Sequence, residues 1–157
     1  LPQDEKMRPS RYQTLLQQEM PIVKEEGVST RIFAGSYKTK EASTKTVVDV
    51  QMYDIRIQSG VRHTIRTTEG YHPFIVLLKG KGRFGSNEVE RSAPAVLHYE
   101  HKGSDVVFEA EGDVHLLYFD GLPLHEPIAA RGPFVMNTDE ELREAFRDYR
   151  EGKFDTY

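Results

Sequence analysis

The residues most able to do chemistry in this chain are its six histidines and the acidic side chains near them. His63, Glu69 and His72 lie close together along the chain. Imidazole nitrogens and a carboxylate suit iron, manganese, nickel or copper and leave positions open for a substrate. These three residues are therefore a candidate metal site, and the simpler alternative is that they are polar residues at the ends of strands.

A second histidine pair, His98 and His101, has two residues between its members. In a strand, residues i and i+3 point to opposite faces, so this pair could bind one ion only if a turn begins at Glu100. His115 alternates with apolar residues and could point inward or to solvent. The candidates for side chains that line the interior of the fold are His63, Glu69, Tyr71, His72 and His115.

Several other chemistries are excluded by residue types and motifs that the sequence lacks. The chain contains no cysteine, which excludes disulfides, thiolate catalysis, zinc–cysteine sites and iron–sulfur clusters. It also contains no Gly-x-Ser-x-Gly nucleophile elbow and no His-Glu-x-x-His zinc motif. The glycine-rich stretch from Gly80 to Gly85 lacks the strand-to-helix context that a phosphate-binding loop requires.

Length and charge limit the class of protein further. A chain of 157 residues is long enough for one domain with a sizeable core. Its 25 acidic and 21 basic residues are interspersed and give a net charge of −4, so direct nucleic-acid binding is disfavoured. The longest apolar run, from Phe74 to Leu78, is far shorter than the roughly 20 residues of a membrane helix. We expect a cytoplasmic protein, with the nucleus as a further compartment if the source is eukaryotic, and no membrane partner.

The elements that must position these side chains are short strands. From Val28 onward, extended runs are separated by turn residues, which is the pattern of an antiparallel sandwich or barrel with about eight or nine strands. Residues 1–26 are polar and punctuated by prolines, so they are predicted to form a linker-like segment. A single domain is predicted at 27–157.

The run from Val48 to Ile57 changes phase along its length. Apolar residues stand at even positions up to Met52 and at odd positions from Tyr53 onward. Because successive side chains of a strand point to opposite faces, this slip predicts a bulge near these two residues or a strand that is buried on both faces.

A single helix is predicted at the C-terminal end, over about residues 138–151. Thr138 and Glu141 have the spacing of a capping box, in which each side chain accepts a hydrogen bond from the other residue's backbone N–H. Gly152 can take the left-handed conformation that ends a helix. Between them, apolar residues recur at helical spacing and form one face: Leu142, Ala145, Phe146 and Tyr149.

The stretch from Gly121 to Phe154 contains the sequences Gly-Leu-Pro-Leu-His-Glu-Pro and Gly-Pro-Phe-Val-Met-Asn-Thr. It resembles the C-terminal signature of the pirin family. Residues 1–13 are similar to the segment that links the first cupin domain of a pirin to the second. Nearly the whole chain therefore resembles the second half of a pirin. The resemblance implies an all-β, cupin-type double-stranded β-helix (a jelly-roll barrel) with a short C-terminal α-helix.

The resemblance also indicates where metal ligands should lie. Active cupins carry His-x-His and a glutamate around one strand and a third histidine in a later Pro-x-Gly-x-x-His motif. Here no His-x-His lies between Gly60 and the strand at Phe74, and the glutamate position falls on or beside Pro73. Pro94 is followed by Ala-Val-Leu-His, which lacks the second spacing.

No catalytic, cofactor-binding or metal-binding residue is therefore predicted in this chain. In a pirin the metal, iron or another divalent transition metal, belongs to the N-terminal cupin, whose ligands are absent from these residues. We expect a metal-free C-terminal cupin domain with a structural or interaction role, whose partner is the N-terminal cupin of the same protein or a second copy of this chain. One alternative is a part of a flavonol (quercetin) 2,3-dioxygenase-like bicupin enzyme. The other is a stand-alone homodimeric cupin that binds a small ligand.

Overall fold

The structure is a computed structural model that describes residues 1–100 and 103–154. In this part of the chain, fourteen strands precede one α-helix, α1 (Asp139–Arg150). The strands are β1 (Ile22–Glu25), β2 (Val28–Ala34), β3 (Ser36–Tyr37), β4 (Lys40–Glu41), β5 (Val50–Ile57), β6 (Arg62–Arg66), β7 (Phe74–Lys79), β8 (Lys81–Phe84), β9 (Val89–Ser92), β10 (Ala95–His98), β11 (Asp105–Ala110), β12 (Val114–Gly121), β13 (Ala129–Arg131) and β14 (Phe134–Met136). Across the described residues, no helix is long and apolar enough to cross a membrane.

Ten strands form two antiparallel sheets within the unit from Tyr12 to Pro123. The six-stranded sheet has the order β1-β2-β5-β12-β7-β10, and the four-stranded sheet has the order β6-β11-β8-β9. Two sheets around one apolar core are the arrangement of a jelly roll, as predicted. Its most deeply buried side chains are Ile32, Ile55, Ile65, Ile75, Leu77, Val106, Phe108, Leu116 and Tyr118.

Alternation along the strands decides which side chains enter this core. In β12 every second residue is buried, from Val114 through Leu116 and Tyr118 to Asp120. Successive side chains of a strand point to opposite faces, so all four lie on the inner face. The same alternation that buries Tyr118 therefore carries the carboxyl group of Asp120 inside.

The phase slip in the sequence corresponds to a bulge, but the extra residue lies on the neighbouring strand. Where β2 pairs with β5, Ile32 lies opposite Tyr53 and Ala34 lies opposite Met52, so the register shifts between them. Phe33 of β2 is the inserted residue. The change of apolar phase in β5 shows where its pairing with β2 is irregular. It does not show which of the two strands carries the additional residue.

Residues 1–11 and 124–154 form a second unit. Strands β13 and β14 pair as a hairpin, and α1 follows within the interval predicted for the helix. Thr138 Oγ1 accepts a hydrogen bond from Glu141 N at 3.2 Å, and Glu141 Oε2 accepts one from Thr138 N at 2.9 Å. The capping box thus forms as predicted, and Phe134 of the hairpin packs edge-on against Phe146 of the helix, with ring centroids 5.0 Å apart.

Strand β1 falls inside the segment 1–26 that the sequence predicts to be linker-like. It forms a hairpin with β2, in which Glu25 lies opposite Val28, and Val23 packs against the core. Gly27 makes the turn with a φ of 69°, a conformation that side chains rarely adopt. Four residues are too few to show a period, so this pairing is visible only in the tertiary structure.

Candidate functional site

Of the five side chains predicted to line the interior, His63 is the buried one. Strand β6 alternates exposed and buried residues, which turns His63 and Ile65 towards the core. The His63 ring lies against Phe108, with ring centroids 5.5 Å apart, and its Nε2 atom lies 3.0 Å from the Tyr37 hydroxyl oxygen. Burial lowers the pKa of His63, so the imidazole is neutral at about pH 7.

Tyr37 connects this buried histidine to an ion pair. Its hydroxyl donates a hydrogen bond of 2.9 Å to Glu25 Oε2, and Glu25 pairs with Lys38. Burial, together with the hydrogen bond to Glu25, raises the pKa of Tyr37, so the phenol keeps its proton. The Tyr37 proton points to Glu25, so the Tyr37 oxygen is left to accept a hydrogen bond from His63. His63 is therefore the tautomer that carries its proton on Nε2.

Replacing Tyr37 with phenylalanine is expected to lower the free energy of unfolding by about 1–3 kcal/mol, because the buried His63 Nε2 loses its partner. Urea unfolding followed by circular dichroism measures this change. Tyr12, which is 88% exposed, supplies the control: Tyr12→Phe should leave the unfolding midpoint unchanged. Equal midpoints for both variants would contradict a stabilising role for the buried hydrogen bond.

A second interior polar group is centred on Asp120. The carboxyl oxygen Oδ2 accepts hydrogen bonds from Thr67 Oγ1 at 2.5 Å and from Tyr118 Oη at 3.0 Å. The Tyr118 ring stacks on Tyr53, with centroids 5.4 Å apart. Burial raises the pKa of Asp120, and the hydrogen bonds from Thr67 and Tyr118 only partly offset that effect. This carboxyl group therefore holds its proton more tightly in the folded protein than in the unfolded chain.

We expect the buried carboxylate of Asp120 to cost stability as the pH rises above its usual pKa of 3.8. The unfolded chain releases this proton first, so the free energy of unfolding falls until the pH passes the raised folded-state pKa. Asp120→Asn removes the charge, and its stability relative to the natural chain should improve between about pH 4 and about pH 7. Urea unfolding at both pH values measures the difference. Exposed Asp4, changed to asparagine, is the control, and a pH-independent difference for Asp120→Asn would contradict the expectation.

Glu69 and His72 are exposed in the loop between β6 and β7, whereas His63 is buried, so the structure does not bring these three together. Tyr71, in the same loop, is half-buried and donates a hydrogen bond of 2.6 Å to Asp49 Oδ2. Within residues 1–100 and 103–154, no three histidine or acidic side chains lie close enough to hold a metal ion.

The other histidine candidates lie on the outer side of the six-stranded sheet. His115 alternates with the buried residues of β12, and its Nε2 atom lies 3.1 Å from Asp54 Oδ1. His98 stacks on Phe74, with ring centroids 5.6 Å apart. His101, its predicted partner, lies outside the described residues.

A cavity of about 590 Å³ opens between the two sheets and is here called the inter-sheet cavity. Residues of β8, β9 and β11 line one side, and residues of β10 line the other. Pro73 and Tyr99 also line it, and the backbone N–H of Tyr99 donates a hydrogen bond of 3.2 Å to the Pro73 carbonyl oxygen. Two parts of the sequence that are distant along the chain therefore meet in one cavity.

Tyr99 is a residue that the sequence reasoning missed. Counting the Pro-x-Gly-x-x-His spacing from Pro94 places the histidine position of a cupin on Tyr99, and the glutamate position falls at or beside Pro73. Proline supplies no side-chain ligand, and burial raises the pKa of Tyr99, so its phenol stays protonated. The two positions lie together, as a metal site would require, but their side chains do not fit a metal ion.

The C-terminal signature acts as a scaffold in the second unit. Asn137 is buried, and its Nδ2 atom donates hydrogen bonds to Glu126 Oε2 at 3.1 Å and to the Pro127 carbonyl oxygen at 2.9 Å. Glu126 also accepts a hydrogen bond from Gln3 N at 2.9 Å. The carboxylate of Glu126, which lies in the first signature sequence (residues 121–127), therefore binds both the second signature sequence (residues 132–138) and the N-terminal segment at Gln3.

The fold and this cavity define a cupin-type domain, in which residues 1–100 and 103–154 contain no group of three histidine or acidic side chains placed to hold a metal ion. The family described as the pirin C-terminal cupin domain matches residues 52–155. The chain belongs to this family, as the C-terminal cupin half of pirin-like proteins.

Curated relatives extend the match over nearly the whole chain. A protein of Pseudomonas aeruginosa that is provisionally named a quercetin 2,3-dioxygenase is 33% identical, over 98% of this chain and 54% of its own length. The pirin-like protein of Solanum lycopersicum is 32% identical, over 95% of this chain and 52% of its own length. The chain thus spans about half the length of the curated relatives it matches.

A solved structure agrees closely with the fold. The crystal structure of quercetin 2,3-dioxygenase from Acinetobacter baumannii has a TM-score of 0.92 and 32% identity, and the match covers 98% of this chain and 54% of that protein. Its similarity confirms the predicted cupin-type fold with a short C-terminal helix.

Proposed function

We propose that this chain is the metal-free half of a two-cupin protein and that its role is to bind and support a metal-binding cupin. The observation that carries the proposal is the pairing of Pro73 with Tyr99 at the positions where a cupin holds its ligands. The two residues line one cavity, and neither a proline nor a protonated phenol offers the ligands that such a metal prefers. The length of the relatives, about twice the matched region, supports a partner half, and the family resemblance implies that this half carries the metal.

Metal loading tests the first part of this proposal. The purified chain is incubated with Fe²⁺, Mn²⁺, Ni²⁺ or Cu²⁺, freed of unbound ions, and analysed by mass spectrometry for bound metal. We expect far less than one ion per chain, and a full-length pirin-like relative treated in the same way is the reference. Near-stoichiometric metal that survives a strong chelator would overturn the proposal.

Co-expression tests the second part. The portion of the Pseudomonas aeruginosa relative that this chain does not cover is expressed with a tag beside this chain. We expect the two to purify together in equal amounts. Independent purification would leave no support for a binding role.

The enzymatic alternative is that the complete protein cleaves a flavonol such as quercetin with dioxygen, as the names of two relatives indicate. In that case this half shapes the protein around the other cupin. A matched assay of oxygen uptake compares a full-length relative with this chain alone. Turnover by this chain alone would overturn the division of roles between the two halves.

A small ligand in the inter-sheet cavity is a second candidate function, and one observation favours it. Tyr99 Oη is buried and has no hydrogen-bond partner among the described residues, so a ligand that offers an acceptor would satisfy it. A volume of about 590 Å³ is typical of ligand pockets. A thermal-shift screen of small polar aromatic compounds should find binders whose affinity falls about tenfold in Tyr99→Phe, because one hydrogen bond is lost. A screen without such binders would reject this function.

A further inference from the structure

A row of side chains on the six-stranded sheet is rich in positive charge, and it is here called the basic row. The strand register aligns one residue from each of five neighbouring strands, β1, β2, β5, β12 and β7, in the order Lys24, Ser29, Arg56, His115 and Lys79. Directly opposite residues have Cβ atoms about 4.5–5.5 Å apart, so each member lies beside the next. Ser29, Arg56 and His115 alternate with buried residues, which places the row on the outer side of the sheet.

A cavity of about 400 Å³ is lined by all five residues of the basic row, and it is here called the outer cavity. Residues of three adjacent turns also line it: Gly27, Gln58 and Asp113. Its volume lies within the range of small-molecule sites. In the described part of the chain it shares no lining residue with the inter-sheet cavity, so the two cavities are separate.

The cations of the basic row are only weakly neutralised. Within residues 1–100 and 103–154, neither Lys24 nor Lys79 makes an ion pair. Arg56 makes a loose one, in which its Nε atom lies 3.8 Å from Asp54 Oδ1, and that oxygen also lies 3.1 Å from His115 Nε2. Cations that face the same cavity repel one another, so an anion bound between them would be attracted by more than one of them.

The carboxylates that line the outer cavity already have partners. Glu25 pairs with Lys38, and Asp113 Oδ1 accepts a hydrogen bond of 3.2 Å from Ser59 N. Arg31, in the adjacent row of the sheet, adds a further cation. The charges that remain available around the cavity are therefore mainly positive.

We infer that the outer cavity binds a small molecule that carries an anionic group, carboxylate or phosphate, at each of its two ends. A group placed over Ser29 lies between Lys24 and Arg56. A group placed over His115 lies between Arg56 and Lys79. Ser29 and His115 are two strands apart, so the two anionic groups would be about 10 Å from each other. Hydrogen bonds from lysine and arginine to such groups are charge-assisted and therefore strong.

Isothermal titration calorimetry at constant ionic strength tests this inference with probes of defined length. Suberate and fructose 1,6-bisphosphate carry anionic groups at both ends of a chain of suitable length, and malonate and inorganic phosphate are their short references. We expect one molecule of at least one long probe per chain, bound about tenfold or more tightly than its short reference, because the short probe reaches only one of the two positions. Binding of one long probe but not the other would identify the anionic group as carboxylate or phosphate.

Two variants and a matched control locate the site. Arg56→Gln removes the cation shared by both positions and should weaken binding of the long probe by about tenfold to a hundredfold. Lys79→Gln should reduce the affinity for the long probe towards that of the short one, because one end loses its cation. The control is Arg66→Gln on the other sheet, since Arg66, like Arg56, is exposed and pairs loosely with an aspartate, Asp105, at 4.0 Å. It should bind as the natural chain does, and circular dichroism verifies that all three variants are folded.

Three results would overturn the inference. They are the absence of binding by both long probes at millimolar concentration, equal affinities for long and short probes, and an Arg66→Gln variant that loses as much affinity as Arg56→Gln. The last result would show general attraction of anions to a charged surface. Neither Pro73 nor Tyr99 lines the outer cavity, so the metal-loading and co-expression experiments can fail without affecting this test.

Discussion

Replacing Phe108 with alanine is expected to lower the free energy of unfolding by about 3–5 kcal/mol, because it removes a large side chain from the centre of the core and leaves a cavity. Phe108 is 2% exposed and touches both the His63 ring and the Phe84 ring. For a chain of this size, the loss corresponds to a fall in the unfolding midpoint of roughly 6–20 °C. Calorimetry and urea unfolding measure both quantities.

The control for Phe108 is an aromatic residue outside the core. Tyr12→Ala, at a position that is 88% exposed, should change the free energy of unfolding by less than about 0.5 kcal/mol. A small effect of Phe108→Ala would show that the two sheets do not depend on this ring. It would also weaken the placement of His63, whose ring packs on the same phenylalanine.

Changing Gly80 to alanine is expected to destabilise the protein by about 2–5 kcal/mol. Gly80 joins β7 to β8 with a φ of 88°, a conformation that costs an L-residue roughly 1–2 kcal/mol. A Cβ atom there would lie 2.4 Å from the Asp113 carbonyl oxygen, and relieving such a clash costs about 1–3 kcal/mol more. Equilibrium unfolding in urea measures the total.

Two other glycines separate these contributions. Gly60 has a φ of 78° with open space around the position of a Cβ atom, so Gly60→Ala should show the backbone strain alone, about 1–2 kcal/mol. Gly112 has neither a positive φ nor a close neighbour among the described atoms, so Gly112→Ala should be nearly neutral. Equal effects at all three positions would contradict the close approach of the β7–β8 turn to Asp113.

Tyr99 and Pro73 lie together in the inter-sheet cavity, and apolar side chains of β7 and β12 lie half-buried on the outer side of the six-stranded sheet. Tyr99 also packs against the apolar core, so this position contributes to the stability of the fold.

Local features of this protein could be predicted from its sequence. The capping box of Thr138 and Glu141 acts over a single helical turn, so the residues that form it are neighbours in the chain. The alternation in β12 depends only on the pleat of one strand, which is why its buried positions are visible in the sequence. The family signature likewise depends on residues that are close together, and with it the cupin-type fold could be stated before the structure.

Contacts between distant residues were decided only by the tertiary structure. Tyr37 meets His63, Thr67 meets Asp120, and Tyr99 meets Pro73, each across a separation that no periodicity describes. The stacking of Phe74 on Phe119 likewise depends on the order and register of β12 and β7. Alternation shows which side of a strand a residue occupies, but strand order and register result from packing all strands at once, so only the assembled sheets bring these residues together.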